Sequence, residues 1–280
     1  ISGESFDGSK LIDNINNKKK SKNYLFDIDT PIKIELKKFY IDNENYLINI
    51  NGNLKIVKNN ISDLNIKSFF LNGEELILQI KTNNKKEQIT NMYTKYPKPL
   101  LKRYKFIKGF DEGYLDFYSF KKDNISKSKL NIYDFKLKEL PVLTKILTLA
   151  SLQGIADILS GEGIRFDEFE MNFKNQGDLM TIDEIYAIGP AISILMSGYV
   201  EQDKLISLRG TLVPATTINK SISSIPVLGK ILVGDKTGEG VFGVSFKIKG
   251  PPKKLETIVN PIKTLTPRFI TRTIEKIKKN

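Results

Sequence analysis

Cysteine and histidine are both absent from this chain of 280 residues. Their absence excludes disulfides, thiol nucleophiles, imidazole bases and the usual zinc ligands. Long apolar runs are also lacking, since Lys145, Gln153 and Asp157 interrupt one apolar stretch and Pro190 interrupts another. No segment therefore reaches the about 20 apolar residues of a transmembrane helix. The first residues do not resemble a signal peptide. Because the chain begins with Ile1 instead of Met, and Ile1–Asp7 resembles the end of a strand, we expect a fragment of a longer protein, and any membrane anchor of that protein is expected upstream of Ile1.

The net charge of +12 raises the possibility of an anionic partner. Lysine, asparagine and isoleucine are overused along the whole chain, and lysine far outnumbers arginine. This composition favours solvated lysine faces over a dedicated anion-binding surface. If an anionic partner exists, we expect lipid headgroups rather than nucleic acid, because no surface alternates aromatic residues with arginine as base-stacking platforms do.

The segment PVLTKILTLASLQGIADILSGEGIRF, residues 141–166, predicts one apolar helix followed directly by a strand. Pro141 suits the first helical turn, and Gly161 and Gly163 suit the helix end. We favour a helix that caps the end of a sheet over one that contacts a membrane. The apolar positions follow helical spacing: Leu143, Ile146, Leu147, Ala150, Ile155, Ile158 and Leu159.

Most of the remaining chain shows the two-residue alternation of strands with one apolar face. Asn-Gly pairs at 51–52 and 72–73 predict tight hairpin turns between antiparallel neighbours. Further strands are predicted over Leu179–Ile188, Ala191–Val200, Leu205–Pro214 and Gly240–Gly250, and at Leu130 and Ile132. The candidate residues of the apolar face are Ile32, Ile34, Leu36, Ile48, Ile50, Leu54, Ile56, Leu76, Leu78, Ile80, Phe169, Met171, Phe173, Phe242, Val244, Phe246 and Ile248.

Short helices are predicted for Leu11–Lys20, Asn91–Tyr104 and a stretch from Thr216 or Thr217 to Ser223. A basic amphipathic helix is predicted for Ile258–Lys278. Such a helix is more often a solvated surface element, but it also suits contact with anionic headgroups. The headgroup candidates on its polar face are Lys263, Arg268, Arg272 and Lys276.

Motifs that suggest an enzyme do not fit their context. Residues 238–243 match the spacing of a dinucleotide-binding glycine loop, but a strand follows where that motif requires a helix. Glu168 and Glu170 are predicted to point to solvent, opposite Phe169, and no serine has a histidine partner. We therefore expect no enzymatic activity, no catalytic residue, no cofactor and no metal.

Several segments together carry a resemblance, which is strongest over residues 106–262. The chain resembles the C-terminal region of the AsmA-like superfamily, nearest to its YhdP-type members. The segments that match, in order, are GESFDGSKLI, the helix and glycine segment at 141–166, AIGPAISILMSGYV, LRGTLVPATTIN, IPVLGKILVGDKTGEGVFGVSFKIKGP and Asn260-Pro261.

This resemblance implies a mainly β fold with a few helices: an elongated, curled antiparallel sheet forming an apolar groove. The apolar helix would lie near the middle of the chain and the amphipathic helix at its C-terminus. Residues 1–137 would supply groove strands and 138–280 a C-terminal module, in one continuous sheet. The implied protein is periplasmic, anchored to the inner membrane of a Gram-negative bacterium, and moves phospholipid toward the outer membrane without chemistry.

Two alternatives remain open. From the alternation alone, an ordinary β-sandwich with a closed core is favoured over a groove, and only the resemblance reverses this preference. The second alternative for function is a structural or assembly factor of the envelope that docks a protein partner at its C-terminal end and carries no lipid.

Overall fold

The computed structural model describes residues 1–9, 31–57, 60–101, 109–138, 140–214, 243–262 and 272. The chain divides into two compact units. The first unit comprises Ile1–Tyr104, Glu112–Tyr133 and Lys174–Gly177, and the second comprises Lys105–Asp111, Asp134–Phe173 and Asp178–Asn280.

The described residues form one open, mostly antiparallel sheet of 14 strands, in which each strand neighbours the next strand of the chain. This confirms the mainly β prediction. The first pair, β1 and β2, is the exception to antiparallel pairing, because it is parallel. The strands are β1 Ser2–Asp7, β2 Ile32–Tyr40, β3 Tyr46–Val57, β4 Asn60–Phe69, β5 Glu75–Thr82, β6 Gln88–Thr94, β7 Asp111–Lys122, β8 Ile125–Leu137, β9 Ile164–Gln176, β10 Leu179–Ile188, β11 Ile192–Glu201, β12 Leu205–Pro214, β13 Gly243–Gly250 and β14 Glu256–Ile262.

The described helices are short: α1 Lys98–Leu101, α2 Pro141–Leu149 and α3 Gln153–Ser160. The prediction of one helix over residues 141–160 is wrong. Ser151 has a left-handed φ of 59°, and this turn separates α2 from α3. Pro141 lies in the first turn of α2, as predicted. None of these helices is long and apolar enough to cross a membrane.

The two Asn-Gly pairs have different structures. Asn72-Gly73 forms the predicted hairpin turn between β4 and β5, with a φ of 84° at Gly73. Asn51-Gly52 instead lies inside β3, so the prediction of a hairpin there is wrong. A Cβ on Gly52 would lie 2.1 Å from the Asn65 carbonyl oxygen, so the close approach of β4 requires glycine at this position.

Strand β3 does not keep one alternation along its length. Asn49 has a φ of 52°, and the register between β3 and β4 shifts between Ile48 and Asn51. This irregularity moves the buried position from Leu47 to Ile50, which are 6% and 3% exposed, while Ile48 is half-buried. Ile48 is therefore not buried together with Ile50. The prediction that these two residues keep one parity is wrong.

Other predicted boundaries differ as well. Asn91–Thr94 belongs to β6 rather than to a helix, which begins only at Lys98. Ile258–Ile262 belongs to β14, because residues 256–262 pair with β13 instead of starting a helix. The predicted helices at Leu11–Lys20 and Thr216–Ser223 lie outside the described residues.

Candidate functional site

One face of β2–β7 carries apolar side chains in rows that cross all six strands. The antiparallel register places the side chains of each row beside one another. The central row is Ile34, Gly52, Ile66, Leu78, Met92 and Phe117. The row on one side is Leu36 and Ile50 and then, past the register shift between β3 and β4, Ser68, Leu76, Thr94 and Leu115. The row on the other side is Ile32, Leu54, Leu64, Ile80, Thr90 and Ser119.

Burial differs sharply among these rows. The row of Leu36 is buried, with Leu36 8% and Leu115 2% exposed. Ile41, Leu47 and Phe70 join it in a hydrophobic cluster. In the central row, by contrast, all five side chains are only half-buried. The central row thus forms an apolar strip along the edge of a packed cluster.

The opposite face of the same strands carries many polar side chains, together with apolar or aromatic ones such as Ile77, Tyr118 and Phe120. A row of Asn53, Asn65, Gln79 and Asn91 crosses β3–β6, and the Gln79 amide donates a hydrogen bond to Asn65 Oδ1 at 3.3 Å. On β2, Lys33 pairs with Glu35 at 2.6 Å, and the hydrogen bond from Lys33 holds the pKa of the Glu35 carboxyl below its usual value. The sheet is therefore amphipathic across these strands.

The second unit repeats this pattern on β10–β14. Its apolar face includes two rows that cross all five strands. They are Ala187, Ile194, Leu212, Val244 and Pro261, and Ile185, Met196, Gly210, Phe246 and Val259. Most of these side chains are buried, with Leu212 at 0% and Phe246 at 3% exposure.

The helices α2 and α3 contribute to the core of this second unit. Leu147 and Leu159 have no solvent exposure. The segment between the helices, Leu149–Leu152, shares a cavity with Pro214, Val259 and Pro261 at the ends of β12 and β14. The connection between α2 and α3 therefore lies beside the ends of β12 and β14, and the role of the segment as a cap stays a prediction.

A buried ionic cluster lies among Glu170 on β9, Glu184 on β10 and Arg272. Arg272 Nη2 lies 2.7 Å from Glu170 Oε1, and Arg272 Nε lies 2.9 Å from Glu184 Oε1. The guanidinium carbon lies 5.0 Å from the centre of the Tyr186 ring, and the Asn172 amide donates to Glu170 at 2.7 Å. The side chains of the three charged residues are 11–14% exposed.

This cluster corrects two predictions. Glu170 does not point to solvent, because its carboxylate is buried against Arg272. Arg272 does not lie on an exposed polar helix face, because its guanidinium pairs with two carboxylates. The other headgroup candidates, Lys263, Arg268 and Lys276, lie outside the described residues.

The structure places the predicted face residues in three groups. Ile32, Ile34, Leu36, Ile50, Leu54, Leu76, Leu78 and Ile80 share the apolar face of β2–β5, with Ile56 near its end. Val244, Phe246 and Ile248 are buried on β13. Phe169, Met171 and Phe173 are half-buried on β9, and Phe242 lies outside the described residues.

Sequence analysis missed the contributions of β4, β6 and β7 to this face. Thr90, Met92 and Thr94 alternate on β6, but threonine at two of three positions hides the apolar pattern. On β7, Tyr118 and Phe120 on the opposite face obscure the alternation of Leu115 and Phe117. A signal was present in β4, where Leu64 and Ile66 alternate with Asp63, Asn65 and Lys67.

The described faces carry buried apolar side chains, hydrogen bonds between polar side chains and ion pairs. Within the described ranges, no group of three or more acidic side chains is placed to hold a metal ion. The apolar rows form a single layer of apolar side chains. Apolar ligands bind to such surfaces because ligand and protein both lose contact with water.

Comparisons with known proteins returned no match: no protein-family model, no curated protein and no solved structure is similar to this chain. The AsmA-like resemblance therefore stays a prediction that depends on the quoted segments alone.

Proposed function

We propose that this protein binds and moves phospholipid without chemistry, along the apolar face of its sheet. The observation that carries the proposal is the half-buried central row on β2–β7, from Ile34 to Phe117. A core residue of a closed sandwich would be fully buried against a second sheet, whereas the described strands all belong to one sheet.

The dimensions of the apolar strip suit an acyl chain. Neighbouring strands lie about 4.8 Å apart, so five steps from β2 to β7 span about 24 Å along the row. A chain that lies along the row replaces water beside Ile66, Leu78 and Met92 without requiring any polar contact. Each part of the chain meets a similar surface, so the lipid can slide along the row.

The wider setting follows the AsmA-like resemblance and is part of the same proposal. The protein would lie in the periplasm, held to the inner membrane by a segment upstream of this sequence. It would support lipid homeostasis of the outer membrane, with no cofactor. Membrane contact through headgroups or a protein partner would occur at its C-terminal end.

Adjacent residues on β5 provide a matched test. Leu78 lies on the apolar face and Ile77 on the polar face, and both side chains are half-buried. Leu78→Asp places a carboxylate in the apolar strip, whereas Ile77→Asp places the same group on the polar side. We expect phospholipid to co-purify with the wild-type protein and with Ile77→Asp, and to be lost from Leu78→Asp, as measured by native mass spectrometry and lipid extraction.

Circular dichroism and thermal unfolding would establish that both variants are folded. Equal lipid content in the two variants would contradict a lipid site on this face. A folded wild-type protein that contains no phospholipid and takes up none from labelled vesicles would overturn the proposed function itself.

A further inference from the structure

Two surface cavities adjoin at the exposed side chain of Leu149 in the second unit. One is lined by α2, and the other lies between the α2–α3 connection and the ends of β12–β14. Leu149 lines both cavities and is 53% exposed, although it is a large apolar side chain at the end of an otherwise packed helix. The two cavities differ in chemistry.

The second cavity measures about 320 Å³ and is lined by apolar residues and glycine, with Ser151 as its one polar side chain among the described residues. Leu149 and Leu152 lie on the helix side, and Pro214, Val259 and Pro261 lie on the sheet side. Val259 and Pro261 are the β14 members of the two apolar rows, so this cavity is continuous with the apolar face of β10–β14. Ligand sites in proteins start at about 300 Å³. The cavity therefore suits the end of one acyl chain, not a whole lipid.

The first cavity carries polar groups along one side of α2: Thr144, Lys145 and Thr148. The Thr144 hydroxyl donates its hydrogen to the Leu140 carbonyl oxygen at 3.1 Å, so it offers no further donor. Lys145 is exposed and lies one helical turn before Leu149. The ammonium of Lys145 and the hydroxyl of Thr148 are thus donors suited to an anionic group next to the apolar cavity.

We infer that these two cavities form one binding site for an anionic amphiphile, with a phosphate-bearing headgroup at Lys145 and Thr148 and the end of an acyl chain between Leu149, Val259 and Pro261. This inference depends on the proposed function. It adds a second, defined binding site for the lipid, on residues separate from the β2–β7 strip. Charge complementarity at Lys145 selects anionic over zwitterionic headgroups.

Paramagnetic broadening of amide signals locates the two ends of a lipid separately. The probe is phosphatidylglycerol with a nitroxide either at the acyl terminus or on the headgroup. We expect the acyl label to broaden the amides of residues 149–152, 243 and 259, and the headgroup label to broaden those of residues 144–148. Broadening confined to β2–β7 would overturn this site and leave the proposed function standing. No broadening at all would contradict both.

Variants with matched controls test the same site by affinity. Lys145→Glu and Leu149→Glu should each weaken binding of phosphatidylglycerol about tenfold, a loss of about 1.4 kcal/mol. Lys247→Glu changes the net charge equally at an exposed position of β13. Ile158→Glu changes an apolar residue that is 49% exposed on α3, and both variants should bind as the wild type does. Inorganic phosphate tests a free anion as ligand. If phosphate binds and Leu149→Glu has no effect on the lipid, the site is an anion site only.

Discussion

The apolar faces of β2–β7 and β10–β14 show the same alternation of residues, but their side chains differ in how deeply they are buried. On β2–β7 the central row is half-buried, and packing is concentrated at the row of Leu36 and Leu115. On β10–β14 the corresponding side chains are largely buried, and α2 and α3 bury Leu147 and Leu159 completely. The two faces thus differ in the depth of burial, although both show the same alternation of residues.

This contrast distinguishes the buried side chains that stabilise the fold from the half-buried side chains that are exposed enough to contact a ligand. A fully buried leucine loses many contacts when it is truncated, whereas a half-buried one is already partly exposed to water. We therefore assign the stability of each unit to its buried rows. The half-buried row of β2–β7 leaves apolar side chains partly exposed beside that packing.

The largest expected effect is on stability in the second unit. Leu147→Ala should lower the free energy of unfolding by about 3 kcal/mol, since the removed side chain has no solvent exposure and leaves a cavity. Leu78→Ala, the same substitution in the half-buried row, should cost about 1 kcal/mol. Urea unfolding, with hydrogen exchange to follow each unit separately, measures both values.

Equal losses for the two leucines would erase the distinction between the faces. A larger loss for Leu78→Ala would reverse it and make the β2–β7 strip a packed core. Phospholipid must be removed from all samples first, because a ligand that binds only the folded protein adds to its apparent stability.

Sequence alternation predicted which face of a strand is apolar but not where the alternation is interrupted. β12 and β10 were predicted with correct bounds because each ends at a proline or glycine turn, although the register of β10 with β11 shifts between Ile182 and Ile185. β3 was not, because Asn49 adopts a left-handed conformation and Gly52 accommodates the carbonyl of Asn65. Both features depend on the neighbouring strand, which no local pattern contains.

Long-range partners explain the remaining errors. Glu170 follows the alternation of a solvent-facing residue, but its buried carboxylate pairs with the distant Arg272. Residues 256–262 have apolar spacing compatible with a helix, but β13 offers hydrogen-bond partners that fix them as a strand. Ser151 ends α2 inside a segment whose apolar spacing continues without a break.

The two units also differ in their ion pairs, and this gives the second prediction. Arg272→Met should lower the free energy of unfolding by about 2 kcal/mol, because it leaves the carboxylates of Glu170 and Glu184 largely buried without their cation. Arg209→Met, at an exposed position of β12, should change stability by less than about 0.5 kcal/mol. Chemical unfolding at neutral pH measures both.

Replacing all three charged residues of the cluster separates pairing from packing. Glu170→Leu and Glu184→Leu, added to Arg272→Met, should restore most of the lost stability, since apolar residues of similar volume often replace buried ion pairs without cost. If the triple variant is as unstable as Arg272→Met, the loss comes from the packing of the arginine stem over Tyr186 and not from unpaired charge.

The smallest expected effect concerns the exposed ion pair of the first unit, between Lys122 on β7 and Glu87 in the turn before β6. Hydrogen bonds from Asn83 and then from Lys122 hold the pKa of Glu87 below its usual value, and Glu87 raises the pKa of Lys122. The contribution of Glu87 to stability is therefore complete above the pKa it has in the unfolded chain and is lost as the pH falls through its lower folded value. The contribution of Lys122 is complete below its unfolded pKa and is lost as the pH rises through its higher folded value.

Lys122→Met should raise the pKa of Glu87 only part of the way to its usual value, because the Asn83 amide still donates to Glu87 Oε2 at 2.9 Å. Lys121→Met, at the neighbouring exposed position, should move this pKa less. Carboxyl-carbon NMR titration of Glu87 compares the two variants. Equal shifts would mean that the general positive field of the chain, and not the contact at 2.9 Å with Lys122, lowers the pKa of Glu87. In that case the ion pairs of the two units would differ in origin. The pairing of Arg272 would be a specific contact between largely buried groups, whereas the lowered pKa of Glu87 would follow from the net charge of the chain.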